Sequence, residues 1–147
     1  VSQSHYWKIV VGSAGVLVIA AGAIVVQNYL NSQKHIHHML NDISVQGKNL
    51  NSEQCVDAVM HLISRCEAMK SLCDMTTPRL METCLSAQTR NEECRVYEPS
   101  FGDTGFGFKP CVARGVTRKN KKTCGTSYRV IESYCKQTLG KSEQKGG

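Results

Sequence analysis

Eight cysteines, Cys55, Cys66, Cys73, Cys84, Cys94, Cys111, Cys124 and Cys135, are the side chains in this chain with the most chemistry to offer. Their spacing narrows that chemistry. No pair stands as C-x-x-C, so a zinc knuckle and the C-x-x-C-H haem attachment both lack their signature. An even number of cysteines in 147 residues, with few aromatics to build a core, points to disulfide staples. Disulfides imply an oxidising space: the periplasm, the extracellular side or, alternatively, the mitochondrial intermembrane space. No metal and no cofactor is expected.

Nucleophilic catalysis needs a thiol or hydroxyl beside a histidine that an acid orients. His61 lies close to the cysteines in sequence but about 120° from their line on a helix. His35 and His38 share a helical face with no carboxylate or thiol at matching spacing, so with His37 they read as a solvated cluster. Gly102, Gly105 and Gly107 fall in the order G-x-x-G-x-G, without the strand–helix frame or the Lys-Ser/Thr of a phosphate loop. An enzyme is not expected. A thiol oxidoreductase would have to use the closest pair, Cys66 and Cys73.

The cysteines need elements to hold them. Cys55, Val59, Leu62, Cys66, Met69 and Cys73 step by four and three, which predicts one helix over Asn51–Met75 with three thiols along an edge. Asn51 and Gln54 form a capping box at its start. Thr76-Thr77-Pro78 predicts its stop and the beginning of a second helix carrying Leu80, Cys84 and Ala87. The segment from Cys94 to Cys111, with its glycines and prolines, reads as an irregular loop with room for a short hairpin of strands. Cys124, Tyr128, Ile131 and Cys135 define a third helix that ends at Gly140.

Ahead of this domain, Ile9–Val26 is free of charge, about the length that crosses a ~30 Å hydrocarbon layer as a helix. Tyr6, Trp7 and Tyr29 flank it as interfacial aromatics. Ala14, Gly15, Ala21 and Gly22 recur at heptad spacing and predict a face for close helix packing. Ile36, Leu40 and Ile43 continue the pattern as a stalk up to Gly47, expected as its C′ residue. The division is therefore 1–8 as a short N-terminal segment, 9–30 transmembrane, 31–50 stalk, 51–139 ectodomain and 140–147 tail. The fold class is all-α and membrane-anchored: one transmembrane helix and stalk, then three stapled helices plus an irregular loop. With the cysteines oxidised, the N-terminus faces the cytoplasm.

Charge is uneven within an overall +6. Lys109 to Lys136 holds eight bases against Glu132 alone, a net +7, whereas Asn31 to Asp103 has seven bases against ten acids, a net −3. The basic run Arg118, Lys119, Lys121 and Lys122, with Phe101, Phe106 and Phe108, forms the expected outer contact surface. Its partners would be other membrane subunits, with lipid headgroups as a second anionic target. Nucleic acid is not expected on that side of a membrane. These features describe a non-enzymatic accessory or assembly subunit of a membrane complex. The alternative is a filament or envelope subunit, a homo-oligomer packed through its apolar helix.

Three C-x10-C spacings, Cys55/Cys66, Cys73/Cys84 and Cys124/Cys135, resemble the twin-cysteine helical hairpins of mitochondrial intermembrane-space proteins. That resemblance implies outer-with-outer and inner-with-inner pairing, Cys55–Cys84 and Cys66–Cys73. The apolar helix running into a stalk is broadly similar to type IV pilins. A turn at Thr76-Thr77-Pro78 favours different bridges, Cys66–Cys84 and Cys55–Cys94. On an unbroken helix Cys66 and Cys73 would stand about 10 Å apart, beyond the ~7 Å reach of a disulfide. Cys124 and Cys135 cannot bridge each other along one helix, so one is expected to reach Cys73 and the other Cys111.

Overall fold

The computed structural model describes residues 3–118 and 120–144, with side chains over 18–118 and 120–141. Helices are the only regular elements among these residues, with no strand. α1 (Gln3–Gln46) is one rod of 44 residues, about 66 Å at 1.5 Å per residue. α2 (Ser52–Ser64), α3 (Lys70–Ser86), α4 (Asn91–Tyr97), a 3-10 turn (Glu98–Ser100), α5 (Phe108–Ala113) and α6 (Lys121–Gln144) follow. α3 lies at the centre and packs against α1, α2 and α6.

α1 has two halves with different surroundings. From Ser32 onward it is amphipathic, with Ile36, Met39 and Ile43 buried on a three–four step. The seam therefore runs through Met39, with Leu40 only half-buried beside it. Before Ser32, every residue from Val18 to Asn31 is exposed. Gly47 follows α1 without a left-handed backbone, so it is not a C′ residue of that kind. It is required by proximity: a Cβ there would sit 2.7 Å from the Cys84 carbonyl oxygen.

The Asn51–Gln54 capping box is present in both directions and starts α2. The predicted single helix over Asn51–Met75 is not: α2 ends at Ser64, α3 begins at Lys70, and the turn falls in Arg65–Met69. Pro78 lies inside α3. It costs that helix a hydrogen bond to the carbonyl of Asp74, an exposed position where water can supply the donor. Glu67, Ala68 and Met69 are good helix formers, yet their turn is fixed from outside. The Glu67 amide donates to His35 Nε2 and the Met69 amide to Ser32 Oγ, both at 3.2 Å. Tertiary partners on α1 satisfy the amides that an unbroken helix would have used, and they override local propensity.

The bridges follow the turn. They are Cys55–Cys84, Cys66–Cys73, Cys94–Cys135 and Cys111–Cys124. Cys66–Cys84 and Cys55–Cys94 do not form, because α2 and α3 reverse through Arg65–Met69 and not near Thr76. With the helix broken, the Cys66 and Cys73 Cα atoms are 6.0 Å apart, within bridging reach. The pairing is the one implied by the twin-cysteine resemblance. Cys111–Cys124 is one of the bridges expected for the third helix, whereas Cys135 takes Cys94 and not Cys73.

The C-terminal half adds two corrections. The Cys94–Cys111 segment is not a strand hairpin but α4, the 3-10 turn, a glycine-rich turn and α5. α6 buries Cys124, Tyr128, Ile131 and Cys135 as its pattern requires, but it continues through Gly140 to Gln144. Residues 145–147 lie outside the described residues.

Two polar clusters tie the layers together. Arg90 is 1% exposed. Its guanidinium donates to the carbonyls of Leu85, Leu50, Cys84 and Gly47 at 2.8–3.2 Å and to the Glu93 carboxylate at 3.2 Å. Glu93 in turn accepts from the Ser52 amide at 2.8 Å. The end of α1, the start of α2, the end of α3 and the start of α4 thus meet on one side chain.

The second cluster centres on Glu53. Tyr97 Oη donates to it at 2.8 Å, Arg114 Nη2 at 2.6 Å, and Tyr128 Oη also donates to it. Arg114 also pairs with Asp57 at 2.6 Å. Phe106 stands edge-on to Tyr97, Phe101 and Tyr128 with centroids 5.8–6.0 Å apart. Gly107 (φ 79°) permits this approach, since a Cβ would meet Tyr128 Cβ at 2.5 Å.

Burial works to raise the Glu53 pKa, but hydrogen bonds from Tyr128, Arg114 and Tyr97 outweigh it and hold the carboxyl below its ordinary value. A group depressed on folding contributes stability above its unfolded pKa of about 4.3 and loses it as pH falls through the folded value. Stability should therefore decline as pH is lowered from about 5 toward 3. Glu53→Gln should be less stable at neutral pH and show a flatter acid limb. Unfolding midpoints measured across that range check this; identical slopes would remove Glu53 as the cause.

Candidate functional site

The end of the domain from which α1 departs is the candidate site. Val18, Ile19, Ile24, Val25, Val26, Tyr29 and Leu30 are 48–74% exposed and point to every side of the helix. A helix that is apolar all round is found buried in a larger core or in a membrane, and a continuous exposed apolar surface marks an interaction site. Among the described residues, no helix is long and apolar enough to cross a membrane. The side chains of Ile9–Leu17, half of the apolar run, lie outside the described residues. Ala14 and Gly15 fall there too, whereas Ala21 and Gly22 are exposed, with nothing within 4 Å of a Cβ at Gly22.

One turn beyond Leu30, the α2–α3 turn clasps α1 through Ser32 and His35. Ser32 is 6% exposed and marks the level at which the helix enters the domain. His35, His38, His61, Asp42 and Glu67 line a cleft of about 280 Å³ beside this clasp. No group of three or more histidine, cysteine or acidic side chains is placed to hold a metal among the described residues. The role found for His35 is that of a hydrogen-bond acceptor for the turn. It was missed in the sequence because its partner is a backbone amide 32 residues away.

The expected outer contact residues are divided by the structure. Phe101 and Phe106 are half-buried in the aromatic cluster, with Lys136 Nζ 5.7 Å above the Phe101 ring. Phe108 alone of the three is largely exposed, at 58%. Arg118, Lys121 and Lys122 are exposed; Lys119 lies outside the described residues. All eight cysteines are bridged, so none offers a resting thiolate. The Glu53 cluster joins a carboxylate, two phenols and a guanidinium, but every one of these groups is spent on another, which makes it a structural tie. No known protein family, no curated protein and no solved structure matches this chain.

Proposed function

We propose that the chain is a non-enzymatic, single-pass membrane accessory or assembly subunit. Its apolar N-terminal helix anchors a stapled helical domain that meets partner subunits in an oxidising, extracytoplasmic space. Four disulfides support that compartment. The single observation that carries the anchor is the uninterrupted exposure of α1 from Val18 to Asn31. It continues an uncharged run that begins at Ile9. Water-exposed apolar surface of this extent is unfavourable at about 25 cal/mol per Å², and a bilayer or a packed bundle removes it.

Alkaline carbonate washing tests the anchor: the full chain should remain with the membrane pellet, and release into the supernatant would overturn the reading. The same exposed helix supports a second reading, self-assembly into a filament or envelope lattice through Ala21 and Gly22. Co-purification separates the two. Different proteins in fixed ratio support the accessory role; copies of this chain alone support self-assembly.

A further inference from the structure

The basic run borders an open cleft of about 510 Å³ between the α2–α3 turn and the start of α6. Lys70, Arg118 and Lys122 line it against one carboxylate, Asp74. Among the described residues, none of these four groups has an ion-pair partner. α3 and α6 both begin at this cleft, neither has an acid in its first turn, and α3 has no side-chain cap. The uncapped start of α3 and three cations without an ion-pair partner among the described residues therefore border one opening, the arrangement that favours an anion.

A further group points the same way. Thr123 lines the cleft at 8% exposure, and among the described residues its hydroxyl bonds no other group. The neighbouring Ser127 hydroxyl, by contrast, donates to the Thr123 carbonyl at 2.9 Å. No buried side-chain polar atom lacks a partner among the described residues, so this hydroxyl opens onto the cleft, where an entering acceptor can take its hydrogen bond. Oxygen acceptors of a phosphate match both the hydroxyl and the cations.

We propose that this cleft binds a phosphate monoester or diester group, and that a lipid headgroup supplies it. The choice of source rests on the anchor reading above. Ala68 borders both this cleft and the neighbouring one that contains Asn28, Asn31 and Ser32. The cleft thus stands at the level where α1 leaves the domain, and an anchored chain would hold it against the headgroup layer.

The test uses the full chain in nanodiscs of phosphatidylcholine, with and without phosphatidic acid, and in detergent with inorganic phosphate. Lysine acylation is read residue by residue by mass spectrometry. Phosphatidic acid should slow modification of Lys70 and Lys122 at least several-fold and leave the remote Lys48 and Lys109 unchanged. Arg118→Gln with Thr123→Val should return Lys70 to its unprotected rate. Protection by phosphatidic acid but not by inorganic phosphate assigns the site to the lipid, and protection by both assigns it to the phosphate group itself. Unchanged Lys70 and Lys122 in every arm, or equal protection of Lys48 and Lys109, would overturn the site. Failure of the chain to enter discs of either composition would overturn the anchor instead, and the inorganic phosphate arm would still test the cleft.

Discussion

Arg90→Met should lower the stability of the domain by about 3–5 kcal/mol, the range for breaking a buried charge pair from one side. Two losses combine. Glu93 keeps its charge beside the Ser52 amide but loses the guanidinium. The carbonyls of Cys84 and Leu85 lose a charged donor, while Gln88 Nε2 still reaches those of Gly47 and Leu50 at 3.1 and 2.7 Å. At 4–8 °C per kcal/mol, the unfolding midpoint should fall by at least roughly 12 °C. Arg95→Met is the matched control. Its pair with Glu92 is exposed on both sides and should change stability by no more than about 0.5 kcal/mol. Thermal unfolding of the full chain in detergent measures both. Equal effects would show that Arg90 contributes no more than a surface charge.

The second large effect is expected from the bridges, and it should follow ring size. Cys94 and Cys135 are 41 residues apart and Cys66 and Cys73 are 7 apart. Loop-closure entropy then gives about 4 kcal/mol for the first bridge and about 2 kcal/mol for the second. Cys94 and Cys135 are also fully buried, so replacing both with Ala leaves a cavity that adds to the loss. Denaturant unfolding of the two double-alanine variants should place Cys94→Ala/Cys135→Ala well below Cys66→Ala/Cys73→Ala. The reverse order would mean that the short ring holds the α2–α3 turn on its own and that ring size is secondary.

That turn separates what is legible in the sequence from what is not. The Asn51–Gln54 capping box and the Cys124–Tyr128–Ile131–Cys135 seam are short-range patterns, and both are present. The reversal at Arg65–Met69 has no local signal, because Glu67, Ala68, Met69 and Lys70 favour helix. Its cause lies on α1, where Ser32 and His35 accept the turn amides. Thr76-Thr77-Pro78 carries a strong local break signal, yet α3 accommodates it, with Thr76 Oγ1 donating back to the Leu72 carbonyl at 2.6 Å. Pairing deduced from the wrong turn was bound to be wrong, since antiparallel bridges centre on the point of reversal.

Arg90 is illegible for a related reason. In the sequence it is an ordinary charge between a helix end and Asn91. Only the convergence of four helix termini turns it into an internal donor. Gly47 is similar: its need comes from the Cys84 carbonyl, not from its own backbone angles. The exposed apolar stretch of α1 from Val18 to Leu30 is legible as composition, whereas the basic cleft depends on α3 and α6 starting at the same place.

The bridges also divide the chain in time. Each set of four cysteines closes within itself: Cys66–Cys73 nests inside Cys55–Cys84, and Cys111–Cys124 inside Cys94–Cys135. No bridge crosses from the first set to the second. With the N-terminus held on the cytoplasmic side, a chain that enters an oxidising space in sequence order from its anchor onward can complete both rings of the first set before Cys94 emerges. The second set then oxidises with no earlier thiol left to capture. Under such delivery the order of emergence would exclude most mispairings and do part of the work of a disulfide isomerase.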